Sequence, residues 1–414
     1  MADAGRDAAR DGARTRRGQR WRPWARRCGK ALLVLVSVLV LGASGYAWVS
    51  YRNLQAGVVR ANVLTPATTS TRPGPHGPGH LTNVLLVGVD SRSDAHGDPL
   101  PPTLLASLHA GANQGEANTD TIMVARIAAD GRAAVVFSIP RDAYVAIPGQ
   151  GMGKINSVAP AAAADTRAWL RAGGVSDPAE INRRARTAGS RALVAAVQRL
   201  TGLHIEHYAE VNLVGFAQIA TALGGVRVCL AHPVSDPDFS GAHFPAGIQT
   251  LSGPTALAFV RQRHGLPRGD LDRERRQQAF LAAATDKLLS AGVLTNPARI
   301  QALQRAVSDN LILDPGWNVI TFARQLAGLD AARVRFTTIP IINPAGHTAG
   351  GASIVVVDPA QIRQWVANLL RPEHQASTRS TTAPTSAAAP TPAAQAAPSG
   401  QPARITAAGI PCVN

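Results

Sequence analysis

Between residues 81 and 370, apolar runs of strand length alternate with stretches of helical periodicity, and that alternation restricts the fold more than any other feature. Asn83–Val89 (NVLLVGV), Thr121–Ile127 and Ala133–Ile139 predict three buried strands, the last two separated by the turn Asp130-Gly131. Ile181–Leu200 has the 3.6-residue period of a helix and stops at Thr201-Gly202, after which Ile205–Val211 alternates as a strand. A helix over Gly215–Leu223 is closed by Gly224-Gly225 and leads into the strand Val226–Leu230. Leu257–Val260 reads as a short strand, Leu271–Leu289 as a long helix, Arg333–Ile339 and Ile354–Val357 as strands, and Pro359–Leu370 as a final helix. Strands interleaved with helices predict an α/β chain, an α-β-α sandwich around a mixed central sheet.

The flanks follow other rules. Residues 371–414 begin with a long Ala/Pro/Ser/Thr tract that buries too little apolar surface to fold, and read as an extended tail. Residues 1–30 carry ten Arg/Lys against three Asp, a large share of the net charge of +16. Residues 31–49 (ALLVLVSVLVLGASGYAWV) are a chargeless run of nineteen, enough to cross a bilayer as a helix. With the basic tract before it and Arg52 alone just after, the positive-inside rule places the N-terminus in the cytoplasm and the rest outside. No clear small-residue cleavage site follows, so a single-pass anchor in the cytoplasmic membrane is expected rather than a signal peptide. Residues 50–80 then read as a stalk and 81–370 as a compact folded region. This topology argues against nucleic acid as partner, although the charge alone permits it. Cys229 and Cys412 both fall on the outer side, where disulfides persist; they either pair or stand as two separate thiols, and Cys28 is apart from both.

Val260–Phe280 reads VRQRHGLPRGDLDRERRQQAF, with six arginines in twenty-one residues. That density beside a buried element is repulsive unless an anion with several oxygens sits there, since guanidinium binds phosphate in bidentate fashion. Arg273 and Gln277 are four apart on one helix face, with Arg276 three from Arg273; Asp270 or Asp272 suits the N-cap, and Arg268 and Arg275 are expected in solvent. Polar residues also gather at strand ends: Asp90 and Arg92 after the first strand, Asp120 before the second, Arg141 and Asp142 after the third. Two carboxylates on such ends can share a Mg²⁺ while arginines hold the phosphates it bridges. His204, His207, His243 and His264 lack zinc-site spacing, and Ser138 and Ser157 lack a nucleophile elbow.

The ordered motifs GVDSR, NTDTIMVARI, VVFSIPRDAYVAIPG, GKINS, LTGLHIEHYAEVNLVGF, LGGV and LAFVRQRHGLPRGDLDRERRQQAF resemble the LytR–CpsA–Psr family of cell-wall enzymes, in its actinobacterial form. The resemblance implies a phosphotransferase that moves a glycopolymer from a polyprenyl-pyrophosphate carrier to a peptidoglycan hydroxyl, with arabinogalactan the first expectation for the polymer. On the matching positions it implies Mg²⁺ at Asp90 and Asp120, and pyrophosphate at Arg141, Arg261, Arg263 and Arg273, supported by Gln277. Arg92, Asp142, Lys154 and Asn156 fall in matching motifs as substrate-binding positions. Asp90 and Asp142 are both candidates for a general base. An apolar channel for the lipid is expected between Ile181 and Leu230, where a packed core is the alternative. Two departures stand out. Asn118 replaces the arginine the family often has beside the second carboxylate, and TRAWLRAGGVSDPAEINRRAR adds helical sequence. The competing readings are a polyprenyl-pyrophosphate hydrolase, with water as acceptor, and a non-enzymatic polymer-binding protein or membrane-bound transcriptional attenuator. Carboxylates among the arginines argue against a polyanion binder.

Overall fold

The computed structural model describes residues 58–64, 81–111, 118–147, 149–289, 297–308, 310–317, 322, 328–369 and 405–414. The expected basic tract and membrane anchor lie outside these residues. Among the described residues, no helix is long and apolar enough to cross a membrane.

Eight strands form the main sheet: β1 (Val59–Arg60), β2 (Thr82–Val89), β3 (Thr119–Ile127), β4 (Ala134–Ser138), β5 (His207–Asn212), β6 (Leu311–Leu313), β7 (Val334–Thr338) and β8 (Ile405–Thr406). Across the sheet they run β1-β6-β5-β2-β3-β4-β7-β8. Pairing is parallel for β1/β6, β5/β2 and β4/β7 and antiparallel elsewhere, so the sheet is mixed, as expected. The helices are α1 (Pro102–Ser107), α2 (Val158–Ala172), α3 (Pro178–Thr201), α4 (Leu213–Ala222), α5 (Gly253–Arg261), α6 (Asp270–Leu289), α7 (Pro297–Ser308) and α8 (Pro359–Asn368).

Strand periodicity divides the core in two. Leu85 and Val87 of β2 join Ile122 and Val124 of β3 in a cluster with Leu193 and Val197 of α3 and Ile362 and Val366 of α8. The alternate residues Val84, Met123 and Ala125 enter a second cluster with α4, α5 and α6. Because side chains alternate across a strand, one sheet serves two helical layers, which is the α-β-α sandwich. Each fully buried Leu, Val or Phe contributes roughly 1.5–3 kcal/mol to this packing. The added helical sequence forms α2 and α3. Asp177 caps α3 by accepting from Ala179 N at 3.0 Å, Pro178 opens the helix, and Gly202 at φ 71° ends it. Gly189 lets the two helices touch, since a Cβ there would lie 2.5 Å from Ala159 O.

Three expectations need correction. Leu257–Val260 is not a strand but the end of α5, in which Ala256 to Val260 are all buried. The buried stretch Ala256–Val260 shows no polar face, and the decisive signal is Ser252-Gly-Pro-Thr255, where Thr255 Oγ1 accepts from Ser252 N at 3.2 Å and Pro254 lies in the first turn. The stalk is shorter than expected, because Val58–Leu64 belong to the fold: β1 pairs with β6, and Val63 is buried. The tail also returns. Residues 405–414 place β8 on the sheet edge and Cys412–Val413 beside the strand Val226–Leu230, so the folded unit runs from Val58 to Asn414. Cys412 is disulfide-bonded to Cys229.

Candidate active site

The ends of β2, β4 and β7 and the start of β3 lie at one edge of the sheet, where the first turns of α6 meet them. A cavity of about 590 Å³, within the usual range for a ligand site, is lined there by the start of β3, the end of β4 with the turn after it, Lys154, and α6 with the residues before it. Ile122, Met123, Ile139, Leu271 and Val355 supply an apolar part of its wall. The stretch Ile181–Leu230 contributes nothing to this wall; its buried residues pack into the two cores.

Arg141 organises the polar side. Pro140 has no N–H to continue pairing after β4, and the chain turns there, with Ala143 N donating to Pro140 O at 2.9 Å. The turn aims the guanidinium into the cavity. Its Nη1 donates to Asp120 Oδ1 at 2.6 Å and its Nε to Asp270 Oδ2 at 3.0 Å. Asp120 reaches this position because the β2/β3 register shifts between Gly88 and Val89. Arg273, from the first turn of α6, lies 3.9 Å from Asp120 Oδ2 and 3.5 Å from Asp270 Oδ1. Lys154 closes the hairpin Tyr144–Ile147/Gly151–Lys154, and its Nζ is 2.9 Å from Asp142 Oδ1.

The ionisation states follow from this packing. Burial alone would lower the Arg141 pKa, but Asp120, Asp270 and Asp142 outweigh it and the net direction is up. Burial dominates at Arg273, whose pKa falls despite the same carboxylates. Asp270 is also partly desolvated, yet Arg273, Arg141 and Arg263 hold its carboxyl below the ordinary range. Glu274 behaves in the opposite way. Burial pushes its carboxyl up to about 7, against the pull of hydrogen bonds from Thr338 and Ser138.

Of the expected residues, the cavity brings together Asp120, Arg141, Asp142, Lys154, Arg263, Arg273 and Gln277. The other four stand outside its wall. Arg261 Nη1 donates to the carbonyls of Leu108 and His109, both at 3.1 Å. Arg92 donates to Ala110 O from Nε and Nη2, and to Asp90 O from Nη1. Asn156 N donates to Arg141 O at 3.1 Å, tying down the main chain behind that guanidinium. Asp90 follows β2, and its N–H donates to Asn118 O at 3.0 Å. Its Oδ1 is 2.7 Å from Arg92 Nη1 yet is buried without a hydrogen bond, as is Asp270 Oδ1. Such acceptor oxygens suit a hard cation. Among the described residues no group of three or more His, Cys, Asp or Glu could hold a metal.

The sequence reading missed several contributors. Asp270, read as a helix cap, is the second carboxylate on Arg141, and Glu274 went unnamed. Asp272 is fully buried and bonded to Arg268 N and its guanidinium; Arg268 lines the cavity, and Arg275 is half-buried rather than in solvent. Arg276 points away from the cavity and is fully buried. The density of Asp and Arg just after Gly269 was the available signal, but partner choice within it was not.

Comparison with known proteins fits this layout. The model of the LytR_cpsA_psr family matches residues 68–370. The chain belongs to the LytR–CpsA–Psr family. The cell wall biosynthesis protein LcpA of Corynebacterium glutamicum is 44% identical over 336 residues, which are 81% of this chain and 64% of that protein. The chain thus spans less than two thirds of that relative's length. The polyisoprenyl-teichoic acid–peptidoglycan teichoic acid transferase TagU of Oceanobacillus iheyensis is 30% identical over 362 residues, covering 85% of this chain and 96% of TagU. Among solved structures, TagT bound to LI-WTA superposes with a TM-score of 0.50 at 21% identity, covering 75% of this chain and 97% of TagT, and supports the fold.

Proposed function

We propose that this family member is a Mg²⁺-dependent phosphotransferase that moves a glycopolymer from a polyprenyl-pyrophosphate carrier to a peptidoglycan hydroxyl, anchored in the cytoplasmic membrane by residues 31–49. The observation that carries it is Arg141 bridging Asp120 and Asp270, beside Arg273 and Arg263, in a cavity with a partly apolar wall. Five cationic side chains line that cavity against four carboxyls, so the charges nearly balance. A pyrophosphate entering alone would leave the site negative, which favours a divalent cation accompanying it.

Mg²⁺ held by Asp90 and Asp120 would neutralise phosphate oxygens and the charge that develops on them. The chain's own residues do the rest. Arg141, Arg263 and Arg273 bind non-bridging oxygens and orient the pyrophosphate. Ile122, Met123, Ile139 and Val355 accept the apolar end of the carrier. The acceptor oxygen attacks the glycan-linked phosphorus, the bridging P–O bond breaks, and polyprenyl phosphate leaves. In this reading Asp142, which lines the cavity, takes the hydroxyl proton, with Asp90 the other candidate.

The test uses purified residues 53–414, genuine lipid-linked donor, peptidoglycan acceptor and Mg²⁺. Transfer is expected, with loss on chelation and in Arg261→Ala and Arg273→Ala. Release of glycan to water with no acceptor product would favour the hydrolase. No turnover by the wild type, or full activity in both variants, would overturn the reading. Mass spectrometry of any copurifying lipid checks the substrate class separately.

A further inference from the structure

Arg276 is fully buried on α6, one position before Gln277, and faces away from the cavity. Its Nε donates to the main-chain oxygen of Asn414 and its Nη1 to Gln262 Oε1, and its guanidinium lies 5.2 Å from the Phe259 ring centroid. Its Nη2 has no partner. Gln262, itself buried, donates from Nε2 to His264 O at 3.1 Å, while Gln277 Nε2 donates to Val260 O at 3.3 Å. Residues 260–264, which carry Arg261 and Arg263, are therefore tied to α6 at successive points. Beneath them, Asn414 is set in place by the parallel pairing of Cys412–Val413 with Cys229–Leu230 and by the Ala231 N to Val413 O bond of 2.8 Å.

A buried guanidinium with one idle nitrogen is an expensive way to fill a core, where Met or Leu would serve. What it adds is direction: a planar fork that fixes two groups at once. We infer that Arg276 is a positioning residue for the Arg261–Arg263 loop, and that segment 405–414 is thereby part of the support of the anion site. This rests on the reading that this loop contacts the pyrophosphate.

The test measures binding of inorganic pyrophosphate with Mg²⁺, and donor KM and kcat, for Arg276→Met, Arg276→Lys, Gln262→Leu and the double variant Arg276→Met/Gln262→Leu, with Arg263→Ala as reference. Arg276→Met and Gln262→Leu should each weaken pyrophosphate binding on the order of tenfold and raise KM more than they lower kcat. The double variant should lose no more than the weaker single variant, since both cut one chain of contacts. Arg276→Lys should recover part of the loss. Folded Arg276→Met and Gln262→Leu proteins that bind as the wild type, while Arg263→Ala does not, would overturn the inference alone. If Arg276→Met does not fold, Gln262→Leu decides. Wild-type binding by Arg263→Ala would remove the site reading and this inference with it.

Discussion

Arg141 lines the cavity and Arg261 stands outside its wall, and they are held in different ways. Arg141 lies between two carboxylates, Asp120 and Asp270. Arg261 donates to two neutral carbonyls, Leu108 O and His109 O, and Arg92 adds Ala110 O to the same stretch. His109, at φ 49°, is the one non-glycine residue with positive φ among the described residues, and the carbonyls on either side of its peptide unit converge on Arg261. A guanidinium between carboxylates is locally neutralised and reaches an anion only by rearranging its pairs. One held by carbonyl dipoles is oriented but keeps its full charge. One residue type is thus held in two ways: within a charge network inside the cavity, and by neutral carbonyls outside its wall.

The sharpest way to break this comparison is to keep charge and remove the fork. Arg141→Lys cannot bridge Asp120 and Asp270 together and should lower kcat/KM for transfer on the order of a hundredfold or more. Arg261→Lys keeps the charge at that position and should cost about tenfold. Equal losses in steady-state kinetics would abolish the distinction. The next effect contrasts two carboxyls one turn apart on α6. Glu274 has a folded pKa of about 7 against 4.5 when exposed, so the folded state binds the proton more tightly. Its contribution is fully present below 4.5 and is lost as pH rises through 7, by an amount on the order of 1–3 kcal/mol. Asp270, whose pKa is lowered, contributes above 3.8 and loses that contribution as pH falls through its folded value. Denaturant unfolding from pH 5 to 8 should therefore show a decline that Glu274→Gln flattens; an unchanged slope would place the carboxyl in water. The smallest effect belongs to the exposed Arg184–Glu180 pair at 3.2 Å, far from either arrangement. Arg184→Ala should change stability by less than about 0.5 kcal/mol and leave transfer untouched.

Much of this was legible beforehand because it depends on local pattern. NVLLVGV and its neighbours could only be buried strands, and the Asp and Arg residues at their ends had to meet at one edge of the sheet. What stayed hidden depends on distant partners. Arg276 stayed undecided between site and solvent, because its acceptor Asn414 is 138 residues away. The return of residues 405–414 was masked by the Ala/Pro tract before them. Glu274 among six arginines suggests an exposed, charged side chain; its burial against Thr338 and Ser138 is tertiary and leaves no local trace. Leu257–Val260 failed for a simpler reason: Ala256 to Val260 are all buried, so periodicity has nothing to contrast there.

The Cys229–Cys412 bond closes a covalent ring across 183 positions of the chain. Arg261, Arg263, Arg273 and Gln277 lie within that ring, while Asp90, Asp120, Arg141 and Asp142 lie on the strand leading into it. A single cut of the backbone between the two cysteines opens the ring without releasing a piece, so a protease acting in the Ala/Pro tract would leave one molecule with both halves of its site still attached.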